Sequence, residues 1–432
     1  MKSKRIIYLE KMLRFMAKAV LRKYEPIVVG ITGSVGKSST KEAVFGVLSL
    51  KFKTRKNEKN YNNEIGLPLT IIGSESGNGS IFGWIKVFFK WLFVLIFPVK
   101  YPEILVLEMG VDRPLDMEYL LSFIKPAVGI ITNISGSHLE FFKSIENILK
   151  EKGKILKNLP EDGMAILNSD DERLLAFKDK LKSSVTLFGI EDNAEIKASD
   201  VSFNFNNFEP QGISFKLNYE GKFIPIRLPS VLAPHLIYSA LSAVAVGIFF
   251  KINLVDIAGA LENFVPPLGR MNLIDGLNGS YVIDDTYNSS PASCIAALDV
   301  VKSLKALRKI AVLGDMLELG EDSENGHKEV LTHALESGIN IFFVAGDRMK
   351  KAAFELEKTG KLFGKVFYFD DPEALGLELE RGLREGDLIL VKGSQGMRME
   401  KAVFEIMANQ NEAEDLLCRQ SKDWKKKPFV KP

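Results

Sequence analysis

Two closely spaced glycines followed by Lys-Ser are residue types suited to holding phosphate. Here they lie in Gly30-Ile31-Thr32-Gly33-Ser34-Val35-Gly36-Lys37-Ser38-Ser39-Thr40-Lys41-Glu42. The β-branched run Ile27-Val28-Val29 precedes this stretch, and Ala43, Val44, Val47 and Leu48 follow at helical spacing. The glycines therefore fall where a strand passes into a helix, with free N–H groups and the positive helix end facing outward. Gly33 and Gly36 let the backbone approach phosphates, Lys37 supplies a point charge, and Ser38 offers a hydroxyl suited to Mg²⁺. Gly33, Ser34, Val35, Gly36, Lys37, Ser38 and Ser39 are thus candidate phosphate contacts. The first glycine of G-x-x-x-x-G-K-[ST] would fall at Ile31, which is a departure. A chance glycine-rich turn is the plainer alternative, but strand, loop, helix and Lys-Ser all agree against it.

Further polar residues follow apolar strands. Ile104-Leu105-Val106-Leu107 ends in Glu108-Met109-Gly110, and Val128-Gly129-Ile130-Ile131 leads to Asn133-Ile134-Ser135-Gly136-Ser137-His138. Met164-Ala165-Ile166-Leu167-Asn168 repeats the device. Such strands, with helical stretches between them, predict a doubly wound, mostly parallel sheet with ligands at the carboxyl ends of its strands. Glu108 and His138 fall at those ends. The Asn-rich stretch Asn60–Thr70 is suited to ordering a loop near a ligand, or is a plain turn cluster.

The 432 residues suffice for two or three domains, and a net charge of +2 argues against general nucleic-acid binding. Two cysteines, Cys294 and Cys418, fit a reducing cytoplasm. In residues 1–24, Lys11, Arg14 and Lys18 interrupt any secretory apolar core. An apolar stripe from Ile6 to Leu21 predicts a basic amphipathic helix, either a membrane-surface or partner-binding element or a helix packed on the first domain. Residues 81–97 are strongly aromatic, but Lys86 and Lys90 sit mid-segment, each costing roughly 2.5–3.5 kcal/mol on insertion. The expectation is a helix in the membrane surface, or one covering the protein, rather than a span.

Residues 185–228 alternate apolar and polar positions, predicting a small antiparallel sheet appended to the parallel one. A Pro-Gly break at Pro266–Arg270 separates a second, Rossmann-like strand–helix alternation, with strands near 281, 310, 341, 366 and 388. The expected organisation is a basic helix (1–25), a central P-loop domain (26–268), a C-terminal α/β domain (269–415) and a basic tail (416–432), mobile from Ser421 onward.

The ordered set Gly33–Glu42, Asn60–Thr70, Glu108-Met109-Gly110, Asn133–Glu140, Glu151-Lys152-Gly153, Gly269-Arg270, Asp284–Asn288, Gly314–Gly320 and Lys392–Ser394 resembles the Mur ligase family over roughly residues 26–410. Within it the pattern is most similar to members that add D-alanyl-D-alanine to a UDP-muramoyl-tripeptide. The resemblance implies a cytoplasmic, monomeric, ATP- and Mg²⁺-dependent peptide ligase of peptidoglycan synthesis. A substrate carboxylate takes the γ-phosphate, and an amine then displaces phosphate from the resulting acyl phosphate. Screening this encounter of anions is chemistry that Lys37, Mg²⁺ and the loop N–H groups suit. By resemblance, Ser38 and Glu108 would hold one Mg²⁺, and His138 a second. Lys152 matches the family lysine that is carbamylated into a metal ligand, although by sequence alone it reads as a surface helix lysine. Lys37, Glu108, His138 and Lys152 would be the catalytic set. Arg270 and Asp285 would contact the nucleotide, and Asn288, Asp315, Glu318 and Lys392 the amine substrate. Asp315 and Glu318 read equally well as capping and solvated residues. His327 and His333 read as structural.

Three departures modify these expectations. Only 29 residues precede Gly30, where the family places a UDP-binding domain. The stretch His235-Leu236-Ile237-Tyr238-Ser239 lacks the asparagines expected near the adenine, and Gln395 stands where arginine is common. Two alternatives remain: the same chemistry on a lipid-linked or other non-UDP acceptor held at the inner membrane face by residues 1–24 and 81–97, or a non-catalytic nucleotide-binding scaffold.

Overall fold

The computed structural model describes residues 4–58, 61–136 and 139–430. It divides into two compact units, Met1–Val201 with Phe215–Arg227 and His235–Phe264, and Ser202–Ser214 with Leu228–Pro234 and Val265–Pro432.

Among the described residues the strands form two sheets. The first contains β1 (Ile27–Thr32), β2 (Thr54–Lys56), β3 (Ile104–Glu108), β4 (Val128–Ile131), β5 (Met164–Asn168), β6 (Ser184–Gly189), β7 (Ile196–Asn206), β8 (Glu209–Tyr219) and β9 (Lys222–Leu228). Their order is β2-β3-β1-β4-β5-β6-β7-β8-β9, so the hairpin strands extend the edge of the parallel sheet and make one continuous nine-stranded sheet. β1 lies between β3 and β4, parallel to both, with Ile31 level with Glu108 and Ile130. Every residue of β3 and β4 is buried. This is why these strands read as unbroken apolar runs: helices cover both sheet faces.

Helix α1 (Lys4–Tyr24) buries Leu13, Met16, Ala17 and Val20, one stripe at helical spacing. Helix α2 (Lys37–Leu48) starts directly after Gly36, whose φ of 82° is left-handed. Ser239, in the helix Ile237–Phe249, hydrogen-bonds through its hydroxyl to Thr40 of α2 at 3.1 Å. Helix α3 (Gly66–Ile72) is buried throughout. Helix α4 (Ile81–Ile96) is capped by Ser80, which accepts from the Gly83 N–H, and buries only Val87, Trp91 and Val94. Among the described residues no helix is long and apolar enough to cross a membrane.

The second sheet contains β10 (Asn272–Asp275), β11 (Tyr281–Asp285), β12 (Arg308–Gly314), β13 (Ile341–Ala345), β14 (Lys365–Phe369) and β15 (Asp387–Lys392), in the order β10-β11-β15-β12-β13-β14. Only β10 runs antiparallel to its neighbour. It is an edge strand too short to carry a clear period in sequence.

The C-terminal segment differs from the mobile tail expected. Glu400, 1% exposed, pairs with both Arg398 and Arg419. Arg398 also donates to the carbonyls of Trp424 and Lys427, and the Val430 N–H donates to Gly396 O at 2.8 Å. These buried charges and a backbone bond fasten residues 398–430 along the loop after β15. A count of surface lysines gives no hint of it.

Candidate active site

The phosphate loop connects β1 to α2. A Cβ on Gly33 would lie 1.9 Å from Thr132 Oγ1, and φ there is 148°, so this position tolerates only glycine. Ile31, where the general pattern has glycine, is a fully buried strand residue; the close approach has moved to Gly33. The loop is stapled to the segment after β4. Ser34 N–H donates to Asn133 O (3.0 Å), Val35 N–H to Asn133 Oδ1 (2.9 Å), and Thr132 Oγ1 to Val35 O (2.5 Å). Lys37 Nζ folds back to the carbonyls of Gly33 (2.9 Å) and Ser34 (3.1 Å), holding its charge over the loop. Ser39 is buried in the first turn of α2.

Glu108, 3% exposed, ends β3 level with Ile31 of β1, just before this loop. Its Oε2 accepts from Ser38 Oγ at 2.8 Å and its Oε1 from Asn62 Nδ2 at 3.0 Å. The Glu108 N–H donates to Asn57 Oδ1 at 2.7 Å, and Lys41 Nζ lies 3.9 Å from Oε2. Asn57 carries no motif signal of its own, and Lys41 falls in the phosphate-loop stretch with no role read from its type alone. Asn62 belongs to the Asn-rich loop, which this bond ties to the Glu108 carboxylate. His138 and Asn60 lie outside the described residues. Among the described residues no three His, Cys, Asp or Glu side chains gather into a metal cage. The paired Ser38 hydroxyl and Glu108 carboxylate fit Mg²⁺ in its usual manner, with one or two protein oxygens and the rest from phosphate and water.

Lys152 is 1% exposed, contrary to its surface-lysine reading. It ends the helix Ile145–Lys152, which turns it inward, and its Nζ reaches Val111 O at 3.4 Å. Burial, helped by the nearby Lys37 charge and opposed by Asp112, Glu151 and Asp116, pulls its pKa down to about 7. The neutral amine, the form that adds to carbon dioxide, is therefore far more accessible here than for a solvated lysine.

Beyond β5, Tyr238 Oη donates to Asp170 Oδ2 at 2.9 Å, and Asp170 also accepts the Ile190 and Glu191 N–H groups. Burial and this carboxylate raise the Tyr238 pKa, so the phenol stays protonated.

In the second unit, Lys392, 1% exposed, ion-pairs with buried Asp285 and donates to Asn288 O at 3.0 Å. Asp285 and Lys392 are level on adjacent strands β11 and β15. Arg270 stacks over Tyr287, its guanidinium 4.2 Å from the ring centroid. Arg419, singled out by no motif, donates to the carbonyls of Thr286 and Tyr287. Asn288 and Glu318 are exposed, the latter with φ 67°. Asp315 is fully buried and accepts the Met349 N–H at 2.7 Å and the Arg348 N–H at 3.3 Å. That is the helix-capping alternative noted for it. His327 is structural: its Nε2 accepts the Met316 N–H at 2.9 Å, and burial lowers its pKa.

A phosphate loop on a parallel sheet, with a carboxylate on the next strand and a separate Rossmann-like unit, defines a nucleotide-dependent P-loop enzyme. Residues 92–247 match the family model described as Mur ligase middle domain, and residues 269–395 that described as Mur ligase, glutamate ligase domain. The chain is 32% identical over 399 residues to the UDP-N-acetylmuramoyl-tripeptide–D-alanyl-D-alanine ligase of Bacillus subtilis (strain 168), covering 91% of this chain and 79% of that one. It is 29% identical to the protein of the same name in Escherichia coli (strain K12), covering 88% and 77%. The crystal structure of MurF ligase from Thermotoga maritima in complex with ADP superposes with a TM-score of 0.73 at 25% identity, covering 94% of this chain and 84% of that one. The chain belongs to the Mur ligase family.

Proposed function

We propose that this chain is an ATP- and Mg²⁺-dependent peptide ligase that joins D-alanyl-D-alanine, or a similar amine, to a muramoyl-tripeptide carboxylate in peptidoglycan synthesis. The observation that carries the reading is the Ser38–Glu108 pair at 2.8 Å beside the Gly33–Gly36 loop, with the near-neutral Lys152 buried in the same unit. In this reading the loop N–H groups and Lys37 hold the β- and γ-phosphates. Ser38 and Glu108, with His138 and carbamylated Lys152, would hold Mg²⁺, which neutralises charge between the phosphate and the attacking carboxylate. Arg270 and Asp285 would serve the nucleotide. Asn288, Glu318 and Lys392 would serve the amine substrate, with Asp315 tying the loop that carries Glu318 to the Arg348 and Met349 N–H groups. The like names of the curated relatives support the substrate pair.

The test is phosphate release on incubation with ATP, Mg²⁺, UDP-muramoyl-tripeptide and D-alanyl-D-alanine. Release is expected only with all four present and is lost in Lys37→Ala. A protein that binds ATP but releases no phosphate would overturn the reading. A second reading, favoured by the exposed aromatic face of α4, keeps the chemistry but takes a lipid-linked muramoyl-peptide. Phosphate release with that acceptor and none with the UDP-linked one would select it.

A further inference from the structure

α4 buries a narrow stripe, Val87, Trp91 and Val94, and turns its widest face outward. Ile81, Phe82, Ile85, Phe88, Phe89 and Phe93 are all exposed, Phe82 by 84% and Phe89 by 63%. At helical spacing these positions share the side opposite the buried stripe, and Lys86 and Lys90 line one edge. On α1, Tyr8, Met12 and Phe15 are exposed along one flank of the buried Leu13, Met16 and Val20, between that stripe and Lys4, Lys11 and Lys18. The two faces are one surface. Exposed Phe15 of α1 and exposed Phe88 of α4 both lie against the Trp91 ring, with centroids 6.2 and 5.6 Å away.

The junction between the helices is built rather than incidental. Trp91 Nε1 donates to Met16 O at 3.0 Å. Lys23 Nζ donates to the carbonyls of Val94, Leu95 and Phe97, closing the C-terminus of α4. A pair of helices locked together this way presents a fixed apolar face to the outside.

Charge selects the occupant. α4 carries Lys86 and Lys90 and no acid, and the one acid of α1, Glu10, is buried. A second copy of this chain would bring the same lysines against these. An apolar aromatic face whose two helices expose lysines and no acid instead complements an acyl-chain boundary beneath anionic headgroups. Neither helix can span a bilayer. We infer that the joined faces of α1 and α4 form a docking surface for an anionic phospholipid bilayer, with the aromatic side chains at the headgroup–acyl boundary and the lysines at the phosphates.

Co-sedimentation of the full chain with vesicles of phosphatidylglycerol and phosphatidylcholine, against phosphatidylcholine alone, tests this. Binding is expected with the anionic vesicles and is weakened by salt. In Phe82→Ser/Phe89→Ser/Phe93→Ser, partitioning is expected to fall by about tenfold or more. Lys86→Glu/Lys90→Glu would remove the preference for anionic vesicles. Phe354→Ser, an exposed aromatic of the second unit, should change nothing. A readout needing no variant is quenching of tryptophan fluorescence by brominated phosphatidylglycerol, expected for the native chain. Absence of both binding and quenching would overturn the inference. So would unchanged partitioning of the triple variant, or a self-association that the triple variant abolishes while vesicles stay unbound.

Discussion

Replacing Lys152 by methionine isolates the cost of burying its amine. The folded protein holds the amine near pKa 7 instead of 10.5, mainly through loss of solvation. The unfolded chain therefore binds more protons than the folded one between these values, and stability must rise with pH across that window. At 1.36 kcal/mol per unit, the penalty is roughly 4 kcal/mol at pH 7 and roughly 2 kcal/mol at pH 9. Methionine has similar length and no charge, so its stability lacks this slope. Urea unfolding in bicarbonate-, nucleotide- and Mg²⁺-free buffer should show the Lys152→Met advantage shrinking by about 2 kcal/mol from pH 7 to pH 9. Two curves running parallel over that range would refute the argument, because the amine would then be solvated in the folded state. The same variant should lose ligase turnover by at least about a hundredfold, since even outer-shell partners of metal ligands carry 10–100-fold. Added bicarbonate should raise the activity of the native protein and leave the variant unchanged.

Two further outcomes follow from the geometry. Gly33→Ala forces a Cβ to within 1.9 Å of Thr132 Oγ1 at φ 148°; a loss of about 1–3 kcal/mol in stability and of ADP binding is expected, read by thermal unfolding and calorimetry, and native ADP affinity would show that the loop does not need this close approach. Lys392→Met leaves Asp285 buried without its cation; about 3–5 kcal/mol should be lost in urea unfolding, and a change under about 1 kcal/mol would mean water already reaches the pair.

Much of the fold was legible because it rests on local periodicity. The apolar runs at 104–107 and 128–131 announced β3 and β4 because both faces of those strands are covered. The alternation at 213–219 likewise announced β8. β10 leaves no such signal: four residues on an edge carry too short a pattern. Lys152 looks solvated in sequence because its own helix is rich in charge. Its burial comes from neighbours such as Val111, some forty residues earlier in the chain.

The sequence by itself determined the phosphate loop, the strand that feeds it and the acid at the end of β3, because glycine's backbone freedom and the period of apolar residues act within a few positions. It also determined the family, through the order of its motifs. Only the tertiary structure decided which polar groups meet. It joined Asn62 to Glu108, drew the Lys152 amine out of water, fastened Arg419 and Arg398 to Glu400, and merged the outward faces of α1 and α4 at Trp91. Each of these depends on desolvation and contact between segments distant in the chain. Those are properties of the packed surroundings, and no residue carries them by type alone.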